Sequence, residues 1–164
     1  VASLLGLVQV LAYEGQGGAR LQAAAMRGLE SAGSVGGDLL PLRPARWGGH
    51  WLDWQPLLAE VLAGAGREAD RHRTAARFHL ALAEGLATAL AQLGRRLALP
   101  AGGVRVALSG GCFQNRLLLE ASIAALRRHG LEPRWPEAAP CNDGGLALGQ
   151  IWAMRQLVVV EEAT

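Results

Sequence analysis

The stretch from Val104 to about Leu157 limits the possible folds more than any other part of the chain. Val104 to Leu108 (VRVAL) reads as a short strand. Ser109-Gly110-Gly111 makes a sharp turn, and residues 114–129 carry a helical pattern. Residues 131–135 are strand-like again, and Pro136 to Pro140 is loop. Asn142-Asp143-Gly144-Gly145 is a second turn, and a last helix covers about 145–157. Strand, helix, strand and helix in alternation place the chain in the α/β class.

The upstream half predicts more helix. Residues 1–12 (VASLLGLVQVLA) read as a short apolar helix, broken by the glycines of YEGQGG (13–18). Residues 19–31 resume the pattern, with Leu21, Ala25 and Leu29 on one face. Ser34 to Asp38 is a turn. Leu39–Arg43 and Trp51–Trp54 are short strands around the tight Arg46–His50 connection, and Pro56 suits the first turn of a helix to about Leu62. The longest element is a helix from about Arg67 to Leu97, with Phe78, Leu82, Leu86, Ala89 and Leu93 on one stripe. Its early charges read as a solvated face. Pro100 and Gly102-Gly103 end it. At 164 residues the chain has the length of one domain.

Composition excludes several chemistries. All 16 basic residues are arginine. Without lysine there is no P-loop of the Walker type, no Schiff base and no Ser-Lys pair. A formal net charge of +2 is too balanced to argue for nucleic-acid binding. No apolar run approaches the roughly 18 residues of a membrane span. Cys112 and Cys141 form no zinc spacing, and a reducing cytoplasm suits them. Val1 follows no charged, apolar leader, so no signal peptide is expected, and the chain reads as a piece of something longer.

Three glycine-rich stretches could carry chemistry. In VRVALSGGCFQN (104–115), a strand runs through glycines into a helix. That arrangement suits phosphate at the backbone and helix N-terminus, with Asn115 in the first helical turn beside it. From geometry alone a plain tight connection, with Ser109 as a turn or cap residue, is the favoured reading of these residues, since glycine-rich strand–helix turns are common. In CNDGG (141–145), Asp143 is either a helix N-cap or a metal-ligating carboxylate, and spacing alone favours the cap. YEGQGGAR (13–20) fails the dinucleotide pattern because Arg20 takes the third glycine position, yet it opens a helix beside which a ligand could lie. His50, His72, His79 and His129 read as structural or solvated. His72 and His79 lie about 10 Å apart along one helix, too far to share a metal easily. Trp47, Trp51 and Trp54 suit packing over a sheet better than a stacking surface.

The segments VALSGGCFQNRLLLE (106–120) and NDGGLALGQ (142–150) together resemble the C-terminal domain of the hydrogenase-maturation carbamoyltransferases, the HypF family. VASLLGL (1–7), YEGQGGARLQAAA (13–25) and AARFHLALA (75–83) look like the same region. The resemblance implies a ribonuclease-H-like lobe of the actin-like ATPase superfamily, a mixed sheet flanked by helices. Residues 1–164 would be the second lobe of a two-lobed domain, without its first lobe and upstream domains. It implies ATP and carbamoyl-adenylate as ligands, with Gly110 and Gly111 near the phosphate and Asn115 holding the adenylate. Glu14 and Gly15 would lie at a glycine-rich loop beside the nucleotide. Asp143 would be one ligand of a divalent metal, iron or zinc, completed by histidines outside this chain. Cys112, Cys141 and Gln22 depart from the family pattern, the last weakening any claim for its position. The implied activity is carbamoyl transfer to the C-terminal cysteine of a HypE-like acceptor, for cyanide-ligand synthesis in nickel–iron hydrogenase. The isolated lobe is expected to be inactive.

Two other readings use the same residues. A lobe of another actin-like ATPase or sugar kinase also carries a strand followed by Ser-Gly-Gly. A non-enzymatic interaction module would use the exposed lobe face and the tryptophans.

Overall fold

The computed structural model describes residues 1–33, 39–99 and 104–161, with side chains to Arg155. The turn expected at Ser34–Asp38 and the stop at Pro100 to Gly103 lie outside the described residues. The helices are α1 (Gln16–Ala32), α2 (Gln55–Ala63), α3 (Glu68–Arg96), α4 (Arg116–Arg128) and α5 (Leu146–Glu161). The strands are β1 (Leu42–Pro44), β2 (His50–Leu52), β3 (Arg105–Ala107) and β4 (Glu132–Arg134). Short 3₁₀ turns at Gly111–Gln114 and Asp143–Gly145 precede α4 and α5. No helix of the described residues is long and apolar enough to cross a membrane.

The expected helix at residues 1–12 does not form. The Leu7 N–H donates to the Ala2 carbonyl and the Gly6 N–H to Ser3, both at 2.9 Å, while Gly6 takes φ +66°. A left-handed glycine closing that pair of bonds ends a helix after one turn.

The mixed sheet is also divided. Among the described residues, β1 pairs antiparallel with β2, and β3 pairs parallel with β4, as two separate sheets. Pro44 and Pro133 each remove a backbone donor, which discourages further pairing along those strands.

α3 is the spine. Glu68 and Asp70 stand in its first turn and Arg95 and Arg96 in its last, each charge opposing the helix dipole. Its buried face is not the leucine stripe. Ala75, Ala76, Ala81, Ala83, Ala87 and Ala91 are buried, whereas Leu93 is 49% exposed. Small residues win because the neighbours come close. A β-carbon on Gly28 of α1 would lie 2.1 Å from the His72 carbonyl oxygen, and one on Gly85 would lie 2.7 Å from Leu40. α1 covers the first half of α3, with Leu21, Ala24 and Ala25 against Ala75 and Ala76. α4, β3 and β4 cover the second half through Leu126, Leu108 and Leu131. Glu84 of α3 bonds Arg128 at 2.6 Å and His129 at 2.7 Å at the end of α4. The His129 bond, then Arg128, hold that carboxyl below its usual range despite partial burial.

The packing over a sheet expected of the tryptophans fails for Trp47, while Trp51 and Trp54 are about half exposed. Trp47 is 84% exposed, at a hairpin tip where Gly48 and Gly49 both take positive φ.

Candidate functional site

Two glycine-rich turns, 32 positions apart in the chain, are stitched together. β3 delivers the backbone to Ser109, and Gly110 then takes φ 103°, ψ 157°. That region is open essentially to glycine alone. The Gly110 N–H donates to the Cys141 carbonyl at 2.6 Å, and the Ser109 hydroxyl donates to the same oxygen at 3.3 Å. The Gly110 amide is therefore engaged within the protein, while Ser109 and Gly111 on either side of it are exposed.

The second turn is built as tightly. Asn142, rather than Asp143, is the cap: its side-chain oxygen accepts from the Gly144 N–H at 3.2 Å. Asp143 is the next residue and is exposed. A β-carbon on Gly145 would lie 2.5 Å from the Pro140 carbonyl oxygen, so glycine alone fits where the turn meets α5.

Asn115 stands one position before α4, as its N-cap, not inside the first turn. Its Oδ1 accepts from the Leu118 N–H at 3.0 Å, which leaves the amide nitrogen Nδ2 facing Nε2 of His79 at 2.7 Å. His79 is 1% exposed, and its Nδ1 lies 2.7 Å from the Ala75 carbonyl. Burial pushes the imidazole below its ordinary pKa, and the bond to Ala75 opposes this only partly. Gln22 of α1 completes the corner, accepting the Arg116 N–H at 3.1 Å. In the sequence, His79 reads as structural or solvated and Gln22 departs from the family pattern. Neither stands in a motif that signals a partner, because each meets one brought in by the fold.

Gly15 caps α1 at φ +83°, and Glu14 beside it is exposed. The hydrogen bonds of this loop are local: Ala12 N–H to Gln16 Oε1 at 2.7 Å, Ala19 N–H to Gly15 O at 3.0 Å. Seven residues of helix separate Gly15 from Gln22, roughly 10 Å. The structure thus joins Gly110 to the Cys141–Gly145 turn, Asn115 to α3 and Arg116 to α1, with Glu14 and Gly15 further along α1.

A groove of about 750 Å³ lies against both turns, lined by Ser109, Pro140, Asn142, Leu148 and Trp152 among others. Asn115, Asp143 and the 13–18 loop do not line it. Among the described residues no group of three or more His, Cys, Asp or Glu side chains is placed to hold a metal ion. One exposed carboxylate such as Asp143 fits a metal only as a member of a larger donor set.

Residues 1–150 match the family described as carbamoyltransferase, Kae1-like domain, second subdomain. The chain is 33% identical over 160 residues to the carbamoyltransferase HypF of Synechocystis sp., covering 95% of this chain and 18% of that protein. It is 38% identical over 165 residues to the carbamoyltransferase HypF of Rhizobium leguminosarum bv. viciae, covering 99% of this chain and 19% of that one. Among solved structures it is similar to a full-length HypF crystallised in a phosphate- and nucleotide-bound form. The TM-score there is 0.74 at 26% identity, over 91% of this chain and 18% of the other. The chain spans under a fifth of the length of these relatives. By family match and by identity across nearly its whole length, the chain belongs to the HypF carbamoyltransferase family, where it corresponds to the second subdomain of the Kae1-like domain.

Proposed function

We propose that this chain is the second lobe of an actin-like, ribonuclease-H-like carbamoyltransferase domain that handles carbamoyl-adenylate in the cytoplasm. The observation that carries the reading is the stitching of the Ser109–Gly111 turn, which leads to Asn115, to the Cys141–Gly145 turn, which contains Asp143. The phosphate- and nucleotide-bound form of the related full-length HypF supports it. Carbamoyl phosphate and ATP would supply the carbamoyl-adenylate. The thiolate of a HypE-like acceptor's C-terminal cysteine would attack the carbamoyl carbon. A C–S bond forms, the bond from that carbon to the AMP phosphate oxygen breaks, and AMP leaves with the electron pair. The thiocarbamate would serve cyanide-ligand synthesis in nickel–iron hydrogenase.

In this reading Gly110 and Gly111 keep side chains out of the phosphate's path, and Asn115 orients the adenylate. Glu14 and Gly15 border the nucleotide from α1. Asp143 provides one ligand of an iron or zinc ion, with the remainder from histidines of the first lobe. A metal so bound would polarise the carbonyl and stabilise developing charge. Reaction geometry that divides ligands between two lobes leaves the isolated chain binding adenylate weakly and transferring nothing. α5 supports the missing-lobe reading: every described residue from Leu146 to Arg155 is exposed, among them Ile151 at 68% and Trp152 at 65%. A helix apolar on all sides belongs in an interface.

Isothermal titration of the chain with AMP, against Asn115→Ala, tests the reading. Weak binding that the substitution reduces further, yet leaves measurable, is expected. No binding by the unaltered chain would overturn the nucleotide site, and carbamoyl transfer by the chain alone would overturn the divided site.

A further inference from the structure

We propose that His79 is the positioning residue for Asn115, holding its amide from behind through Nε2 so that the ligand-facing corner of α4 is preset. The inference rests on the adenylate reading for what Asn115 contacts, but its geometry does not.

The chain of bonds leaves little freedom. Asn115 Oδ1 is taken by the Leu118 N–H, because Asn115 caps α4. The group facing His79 is therefore NH₂, a donor with no acceptor capacity. Nε2 of His79, 2.7 Å away, must be the bare, accepting nitrogen. Its proton then sits on Nδ1, which faces the Ala75 carbonyl at 2.7 Å and donates to it. One tautomer of a neutral ring satisfies all three bonds. Its complete burial removes water as a substitute partner. An imidazolium would set an N–H against the asparagine N–H, and the opposite tautomer would do that and orphan the Ala75 contact too.

The consequence for binding follows from the count of amide protons. One Asn115 N–H points to His79, and the other remains for a ligand. A side chain fixed at both the oxygen and one proton loses little entropy on meeting that ligand. Removing the acceptor frees Nδ2 to turn and leaves a half-buried donor without its partner.

The test uses the 164-residue chain with two readouts. In ¹H–¹⁵N long-range spectra at pH 7, His79 is expected to carry its proton on Nδ1 with Nε2 bare, and the Asn115 side-chain amide to exchange slowly. A proton on Nε2 would overturn the proposal whether or not nucleotide binds. In AMP titrations, His79→Leu is expected to weaken binding about tenfold, the scale of one lost hydrogen bond. His79→Gln, whose carbonyl is an acceptor of similar reach, recovers most of that loss. The double variant with Asn115→Ala binds no worse than Asn115→Ala alone. Equal losses for Leu and Gln in folded chains, or additive losses in the double variant, would also overturn it. If the unaltered chain does not bind AMP, the adenylate reading fails, and the tautomer with the Asn115 amide exchange in His79→Gln decides the positioning claim by itself.

Discussion

α4 and α5 begin alike and end differently. Each follows a glycine-rich turn, and each of those turns carries an asparagine cap, Asn115 on the Leu118 N–H and Asn142 on the Gly144 N–H. α4 then buries Leu117, Leu118, Ser122, Ala125 and Leu126, with Leu117 in the cluster of α1 and α3 and Ala125 and Leu126 in that of α3 and the β3–β4 pair. α5 buries nothing over its described side chains. Local chemistry can start a helix, but only an amphipathic pattern tells it which side faces its own domain. α4 has such a pattern. The sequence LALGQIWAMR does not, and α5 leans on no neighbour in the way α4 leans on α3.

That contrast can be broken at its strongest point first. Leu126→Ala opens a cavity beneath α4 and is expected to cost about 3 kcal/mol in urea unfolding. Ile151→Ala on α5 is expected to change stability by no more than about 0.5 kcal/mol. A comparable loss at both sites would mean that α5 folds back on the core. Gly145→Ala comes next: its β-carbon meets the Pro140 carbonyl oxygen, so a loss of roughly 2 kcal/mol or a displaced α5 is expected. Hydrogen exchange at α5 separates the two outcomes.

The caps sharpen the comparison further. Asn115→Ala removes a cap and strands the buried His79 acceptor, for roughly 1.5–2 kcal/mol. Asn142→Ala removes an exposed cap, for about 0.5 kcal/mol. Equal losses would show that His79 contributes nothing to the α4 corner.

The smallest effect is in pH. Burial lowers the folded pKa of His79, so the unfolded chain binds its proton first as pH falls. Stability is full above the ordinary histidine pKa, about 6.5, and declines below it until the folded ring also protonates. Glu84 works in the same direction but lower, below the usual carboxylate range. The urea midpoint is expected to fall in two stages on acidification, and His79→Gln removes the first.

Much of this was legible in the residues. The bounds of α3, about Arg67 to Leu97 from periodicity, agree with Glu68–Arg96 within a residue at each end. Such a long pattern, carrying charges of the right sign at both ends, has few alternatives. The face was misread because periodicity weighs leucine above alanine, whereas a close helix approach selects the reverse. The first twelve residues failed at Gly6, whose positive φ stops the turn that the apolar run begins. Both glycine-rich turns were visible, and their union through the Cys141 carbonyl was not, since backbone bonds leave no mark on side-chain choice. His79 and Gln22 were missed for a related reason: their partners lie 36 and 94 positions away.

The contact of Gly28 with the His72 backbone acts as a survey datum for this corner. Gln22 lies six residues before Gly28 on α1, and His79 lies seven after His72 on α3. Both reach the Asn115–Arg116 junction, so the two helices run antiparallel, with offsets of about 9 and 10 Å from one fixed point. Any side chain at position 28 would move that point and misalign both measurements together. A residue with no functional group, about 9 Å along α1 from Gln22, thereby sets the tolerance to which the Asn115–Arg116 corner is built.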